Sequence, residues 1–444
     1  MATRLKSASV LLLFLLAIAY AHADVTLLLE EPYSYDSAFA GTGHAAVYLS
    51  RVCADSPLVL RRCAPDEFGV VISRYDGIAG RDWIAIPLIP YLYAVDKPEN
   101  VPLSADTKLV DFLRNRYRIA HLESVAPDGP DGEPPAGRWV ELVGESYLRA
   151  IYGFHIDTTE EQDDALIRKY NSEPNRMRFN LITHNCADFA RNLVNFYYPK
   201  LLHRSVIGDL GVTTPKHDAQ LLAHFGEHHP EVHLSTFVIP QVPGNTRRSG
   251  PVRGVVESVV RAKKYMLPLL VFHPVITGAL VVAAADGARF NPAHNVMIFD
   301  PSGELEPPLA AEQRRTYQAR LESLKRPMAE GNPWHGTKWD QLQADSVPGL
   351  DNSGGPLLEL KLGDETVNQG LSRNNILTTS APPELAEWIL VQRLREELKK
   401  GGSPKVSEQN AENDWALLQQ TMQMQHKNRE AIDTRLTAMG SNQP

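Results

Sequence analysis

An α+β fold is the class this chain predicts, on three observations. Short apolar stretches of strand length alternate with longer amphipathic ones between Asp24 and about Val238. The apolar fraction, 43%, suits a chain that buries a core. At 444 residues the chain exceeds one typical core, so two or three units are expected.

The elements follow in chain order. Arg4 and Lys6, the apolar run Val10 to Ala19 and the small-x-small site Ala21-His22-Ala23 mark residues 1–23 as a secretory signal peptide. Its apolar core is shorter than the roughly 20 residues a spanning helix needs. Cleavage before Asp24 removes two basic residues and no acidic one, moving the formal charge from −8 to −10. That balance argues against nucleic acid or an anionic membrane surface as the main partner, and the expected location is periplasmic or secreted. Export permits a disulfide, and Cys53 and Cys63 close a short loop carrying Pro57 and Arg61-Arg62. Cys186 is the cysteine left over.

Val25 to Glu30, His44 to Ser50, Phe68 to Tyr75 and Trp83 to Leu88 read as strands. Helices are predicted from Ser104, with Asp106 in the first turn, at Trp139 to Tyr152, and at Glu160 to Tyr170 behind a Thr158 or Thr159 cap. The intervening Pro127 to Pro135 is loop by composition. Thr214-Pro215 opens a further helix, for which Gly226 reads as the C-terminal cap. Residues 240–252 read as a linker, closing a first domain at 24–239.

Beyond the linker, residues 253–400 form a less defined α/β accessory region. Within it, Tyr265 to Ala285 is apolar apart from His273, long enough to raise a membrane contact. Arg261, Lys263 and Lys264 precede it, the wrong side for a chain crossing inwards after an exported domain, and Pro268, Pro274 and Gly278 favour a buried, broken element. Ala310 to Lys325 and Pro383 to Lys399 read as helices and Leu357 to Leu362 as a strand, while 401–444 is a polar tail.

The chemistry centres on two segments. In Thr183-His184-Asn185-Cys186-Ala187-Asp188-Phe189, Asn185 is a good N-cap and Asp188 completes a near capping box. Phe189, Leu193, Phe196 and Tyr197 form one apolar stripe, and Pro199 ends the helix. Cys186 then sits in the first turn, where unpaired N–H groups and the helix dipole favour a thiolate. In Gly43-His44-Ala45-Ala46-Val47-Tyr48-Leu49, His44 supplies an imidazole base; it shares a strand face with Ala46 and Tyr48, across which the cysteine helix is expected to pack. The N–H of Cys186, with Asn185 or His184, would hold an oxyanion. The plainer reading is a small buried hydrophobe and a core histidine.

The order of these segments, a strand histidine followed by an Asn-Cys-x-x-Phe helix start, resembles the circularly permuted papain-like superfamily. That group includes NlpC-type permuted hydrolases, lecithin retinol acyltransferase-like enzymes, PPPDE peptidases and the periplasmic domains of lipoprotein transacylases. Phe179 to Phe189 is similar to its aromatic-x-Leu-x-x-x-Asn-Cys-x-x-Phe pattern, and His44 to Leu49 to its His-x-x-aliphatic-Tyr-aliphatic strand. The resemblance implies Cys186 as nucleophile, His44 as base, an antiparallel sheet packed on the nucleophile helix and no cofactor. Many members place a polar third residue on the following strand; here Ser73 and Tyr75 are the substitutes, with Asp76 in the Asp76-Gly77 turn.

His224-Phe225-Gly226-Glu227-His228 matches the inverted zinc-protease string H-x-x-E-H, with His217, His229 and His233 nearby. A helix ending at Gly226 would put Glu227 and His228 beyond it, so no metal is assigned. The expected function is an exported cysteine hydrolase or acyltransferase acting on an amide, ester or thioester carbonyl of a cell-envelope peptide or lipid. The alternatives are an inactive binding module of the same fold and a zinc hydrolase using His224, Glu227 and His228.

Overall fold

The computed structural model describes residues 23–375, apart from 36–37, 40–41, 134, 136–137, 207, 243, 245–248, 295, 308–309, 314, 317–318, 320–338 and 363–364, together with 388 and 392. Residues 1–22 of the segment expected to be a signal peptide, most of the helices expected at 310–325 and 383–399, and the 401–444 tail lie outside the described residues, whereas Ala23 opens the first strand.

The chain is α+β. It opens with β1 (Ala23–Glu30), a small hairpin β2 (Ser34–Tyr35) and β3 (Ala38–Phe39), then β4 (His44–Leu49). A second hairpin, β5 (Val52–Ser56) and β6 (Val59–Arg62), leads to β7 (Val70–Ser73) and β8 (Ile84–Pro87). Cys53 and Cys63 bridge this hairpin in the expected disulfide. Helices α1 (Leu88–Tyr93) and α2 (Thr107–His121) follow, then β9 (Ile151–Thr158), α3 (Glu160–Ser172), α4 (Cys186–Tyr197), α5 (Pro215–His228) and β10 (Ser235–Ile239). The second half adds α6 (Val255–Arg261), α7 (Lys263–Phe272), α8 (Pro274–Gly287), β11 (Met297–Phe299), β12 (Leu305–Glu306), α9 (Trp339–Ala344) and the meander β13 (Val347–Leu350), β14 (Pro356–Leu362) and β15 (Glu365–Gly370).

Eight strands form the main sheet in the order β12-β11-β10-β9-β1-β4-β7-β8, antiparallel except for β10 against β11. The run Val25-Thr26-Leu27-Leu28-Leu29 reads as strand without alternation because β1 is covered on both faces. On one face Leu28, Ala46, Val71 and Ile86 pack with Tyr91 and Leu92 of α1 and Leu109 and Leu113 of α2. On the other, Leu27, Leu29, Ala45, Val47 and Ile72 pack with Ala187, Phe189, Ala190 and Leu193 of α4 and Leu222 of α5.

Four expectations need correction. Asp106 is the N-cap of α2, accepting from Leu109 N at 2.8 Å, rather than a first-turn residue. The helix expected at Trp139 to Tyr152 is replaced by two 3-10 turns and the start of β9. Gly144, at φ 73°, stops the helical path there, and Tyr152 belongs to the sheet core. The 240–252 stretch does not separate two sheets, since β11 and β12 extend the main sheet past it. Finally, α5 runs through Gly226 to His228. Gly226 is there for close approach: a Cβ would lie 2.4 Å from Leu234 Cδ2.

Phe189 joins the α4 stripe to β4, buried at 3% exposure. Phe189→Ala should cost about 3–5 kcal/mol of stability, read as a lower urea midpoint at unchanged m-value. A loss under about 1 kcal/mol would show that α4 is not held by this face.

Candidate active site

Cys186 is the first residue of α4. Asn185 caps the helix: its Oδ1 accepts from Asp188 N at 2.8 Å, while Asp188 Oδ2 accepts from Asn185 N at 3.3 Å, completing the capping box. The Asn185 amide nitrogen donates to Leu181 O at 2.9 Å and Thr213 O at 3.0 Å. Asn185 therefore shapes the turn and its amide is committed there, not offered to an oxyanion. Asp188 is itself fixed by Thr213 Oγ1 at 2.6 Å and Arg204 Nη2 at 2.8 Å. His184 is exposed, its Nδ1 2.9 Å from Thr183 Oγ1.

The cysteine meets the sheet where a ladder ends. Pairing of β4 with β7 stops at Val47–Ile72, so Ala45 has no strand partner on that side. Its carbonyl instead accepts from Ser73 Oγ at 2.8 Å, and its N–H hydrogen-bonds the Cys186 sulfur. Both polar groups of one residue point the same way in an antiparallel strand, which is why one loss of pairing frees both. Arg74 ties the other side: it donates to Asp82 Oδ1 at 2.6 Å and to Asn185 O at 3.4 Å, and lies over the Phe189 ring.

His44 stands on the opposite face. The register pairs it with Glu30, on the side of Leu28 and Ala46, whereas α4 packs on the Ala45 and Val47 side. The expectation that α4 crosses the His44 face is thus corrected: the thiol reaches the strand end, not that face. Among the described residues no hydrogen bond joins the thiol to the imidazole. His44 Nε2 lies 2.7 Å from Ser73 Oγ, and its ring stacks on Tyr75 at 5.3 Å. The single Ser73 proton is used on the Ala45 carbonyl, so His44 Nε2 is the donor in this contact and Nδ1 keeps its lone pair. Asp76 is exposed beside Gly77.

Beneath His44 lies an ionic cluster that no sequence motif marks. Arg149 is buried between Glu30 at 3.3 Å and Glu145 at 2.7 Å, over the ring of Tyr33. Tyr91 donates to Glu30, and Tyr33 to Glu141 at 2.9 Å. The sequence signals were slight: Glu30 at the end of an otherwise apolar strand, and Glu145 four residues before Arg149.

These surroundings set the protonation. Burial, with the Arg149 and Arg138 charges nearby, holds the His44 imidazole well below 6.5. Burial also pushes the Cys186 thiol up to about 11, with Glu30 and Glu141 adding to it and the amides of Ala45 and Ala187 opposing. The helix start does offer N–H groups to the sulfur, as expected, but desolvation outweighs them. Near neutral pH the pair is a thiol and a neutral imidazole, not an ion pair.

Among the described residues two groups could hold a metal: Cys53, Cys63 and Glu67 cluster, but both sulfurs are spent in the disulfide. The other is His224, Glu227 and His228 on α5. His233, by contrast, pairs with Asp157 at 2.7 Å.

No protein-family model matches this chain, and no curated protein matches it. A crystal structure described as that of a type VI secretion system effector, TseH, is similar at 16% identity, covering 49% of this chain and 98% of that chain, with a TM-score of 0.22. A likeness that loose carries no argument about this chain.

At pH 8 iodoacetamide should alkylate native Cys186 about 10-fold more slowly than the same thiol in urea, because a thiol raised to about 11 carries little thiolate there. The native rate should climb steeply as pH approaches 11. Equal native and unfolded rates at pH 8 would mean the thiolate is stabilised after all.

Proposed function

We propose that the first half of this chain is a permuted papain-like cysteine hydrolase or acyltransferase of the cell envelope. The observation that carries this reading is the junction at Ala45: its N–H on the Cys186 sulfur and its neighbour His44 turned by Ser73 so that Nδ1 is the free base. In this reading His44 Nδ1 takes the Cys186 proton as the sulfur attacks the carbonyl carbon, which gives a tetrahedral oxyanion. The Cys186 N–H, without an intrahelical partner in the first turn, faces that oxygen. Collapse breaks the bond to the leaving amine, alcohol or thiol, which takes the proton back from His44. The thioester left on Cys186 then passes its acyl group to water or to an acceptor. Ser73 acts through His44 as a positioning residue.

Cys186→Ser and His44→Ala should each lower kcat/KM on a panel of acyl thioesters and stem-peptide amides by about 10²–10⁴-fold, with Ser73→Ala losing less. Intact mass should show an acyl adduct on Cys186. A base must be unprotonated to act, and the pKa of His44 is depressed, so the acid limb of kcat/KM should fall below pH 6.5. No adduct and no turnover across the panel would leave the inactive binding module as the correct reading.

The partner in this reading includes a lipid surface. The apolar segment breaks at His273 into α7 and α8, as the prolines suggested, but it is not buried: Val275 is 84% exposed, Phe272 74% and Val271 73%. Among the described residues no helix is long and apolar enough to cross a membrane. At about 1.5 Å per residue α8 reaches roughly 21 Å, enough for one leaflet, and Arg261, Lys263 and Lys264 before and at the start of the pair put local positive charge beside this apolar face in a chain whose net charge is negative. The protein should co-sediment with vesicles containing phosphatidylglycerol, less with phosphatidylcholine alone, and Phe272→Asp/Val275→Asp should abolish it. A vesicle-independent dimer lost in the same variant would instead assign this face to a second copy.

A further inference from the structure

We propose that His224, Glu227 and His228 bind one zinc ion on the outer face of α5. Because the helix runs to His228, the three stand at i, i+3 and i+4 on one face, and their ligand atoms all lie within 4.8 Å of one another. The His224 and His228 rings are 4.3 Å apart, and His224 Nδ1 is 3.9 Å from Glu227 Oε2. A tetrahedral ion with ligands at about 2.1 Å holds them roughly 3.4 Å apart, so small rotations of these exposed side chains suffice.

His228 is prepared for the task. Its Nδ1 lies 2.8 Å from the His224 carbonyl, which can only accept, so the proton is on Nδ1 and Nε2 presents its lone pair outward. An imidazole fixed by Nδ1–H to a backbone carbonyl is the arrangement that orients metal-bound histidines. The last turn of the helix adds the negative end of its dipole, which favours a cation. His224 and His228 also border a cleft of about 530 Å³ with Leu201, His203, Phe225 and His229. A fourth coordination position would open towards it, to water or a small ligand. The site shares no residue with Cys186, His44 or Ser73, so it stands whether or not the thiol reading does.

Calorimetric titration of the full chain with zinc chloride at pH 7.5 tests this. One equivalent should bind with micromolar affinity. His224→Ala/His228→Ala should remove it and Glu227→Gln weaken it about 10-fold, while His233→Ala, on a histidine held by Asp157, should leave it unchanged. Circular dichroism checks that each variant is folded; the side chains are exposed, so folding should persist. No stoichiometric binding, or equal binding in the double variant, overturns the site, and unchanged affinity in Glu227→Gln overturns the three-ligand assignment.

Discussion

The interruption of the β4–β7 ladder above Val47 is the constraint on which the candidate site depends. While two strands remain paired, their N–H and C=O groups satisfy each other and offer nothing to a neighbour. Ala45 lies just past the last pair, so its carbonyl takes the Ser73 hydroxyl and its N–H takes the Cys186 sulfur. The first contact orders His44 through Ser73. The second holds the start of α4 against the sheet. Small side chains at Ala45 and Ala46, both fully buried, leave room for the approach from either face.

The cluster around Arg149 works against this arrangement electrostatically and for it structurally. Two buried carboxylates beside one guanidinium survive only because they are mutually paired, and breaking such a pair costs about 3–5 kcal/mol. The same charges reach the site: Arg149 depresses the imidazole, while Glu30 and Glu141 raise the thiol. Both effects favour the neutral forms, so chemistry at this thiol needs a base acting at the moment of attack rather than a standing thiolate.

Local signals were legible where they depend on neighbours in sequence. The Asn185 capping box, the α4 stripe, the Thr159 cap of α3, the strands β1, β4, β7 and β8 and the Cys53–Cys63 bridge all rest on short spacing rules, and the structure contains each of them. The start of β9 is not legible in the sequence because Tyr147 to Tyr152 mixes apolar and polar residues in a way that suits either period, and only the place of Ile151 and Tyr152 between β1 and β10 settles it. Gly226 looked like a helix end for a related reason: nothing nearby in sequence shows that Leu234 presses on it. The exposure of Val271 to Ile276 was equally hidden, since an apolar run reads as buried until its neighbours are known.

By itself, the sequence determined the helix start that places Cys186 and the strand that carries His44, and it left Ser73, Tyr75 and Asp76 as the polar candidates on the following strand and turn. These are one-dimensional facts, because capping and strand alternation act over a few residues. Tertiary structure alone decided which face of β4 receives α4, that His44 Nε2 is spent on Ser73, and that burial overrides the helix dipole at the thiol. Those outcomes depend on desolvation and on groups from 29 to more than a hundred residues away, and no local pattern carries either.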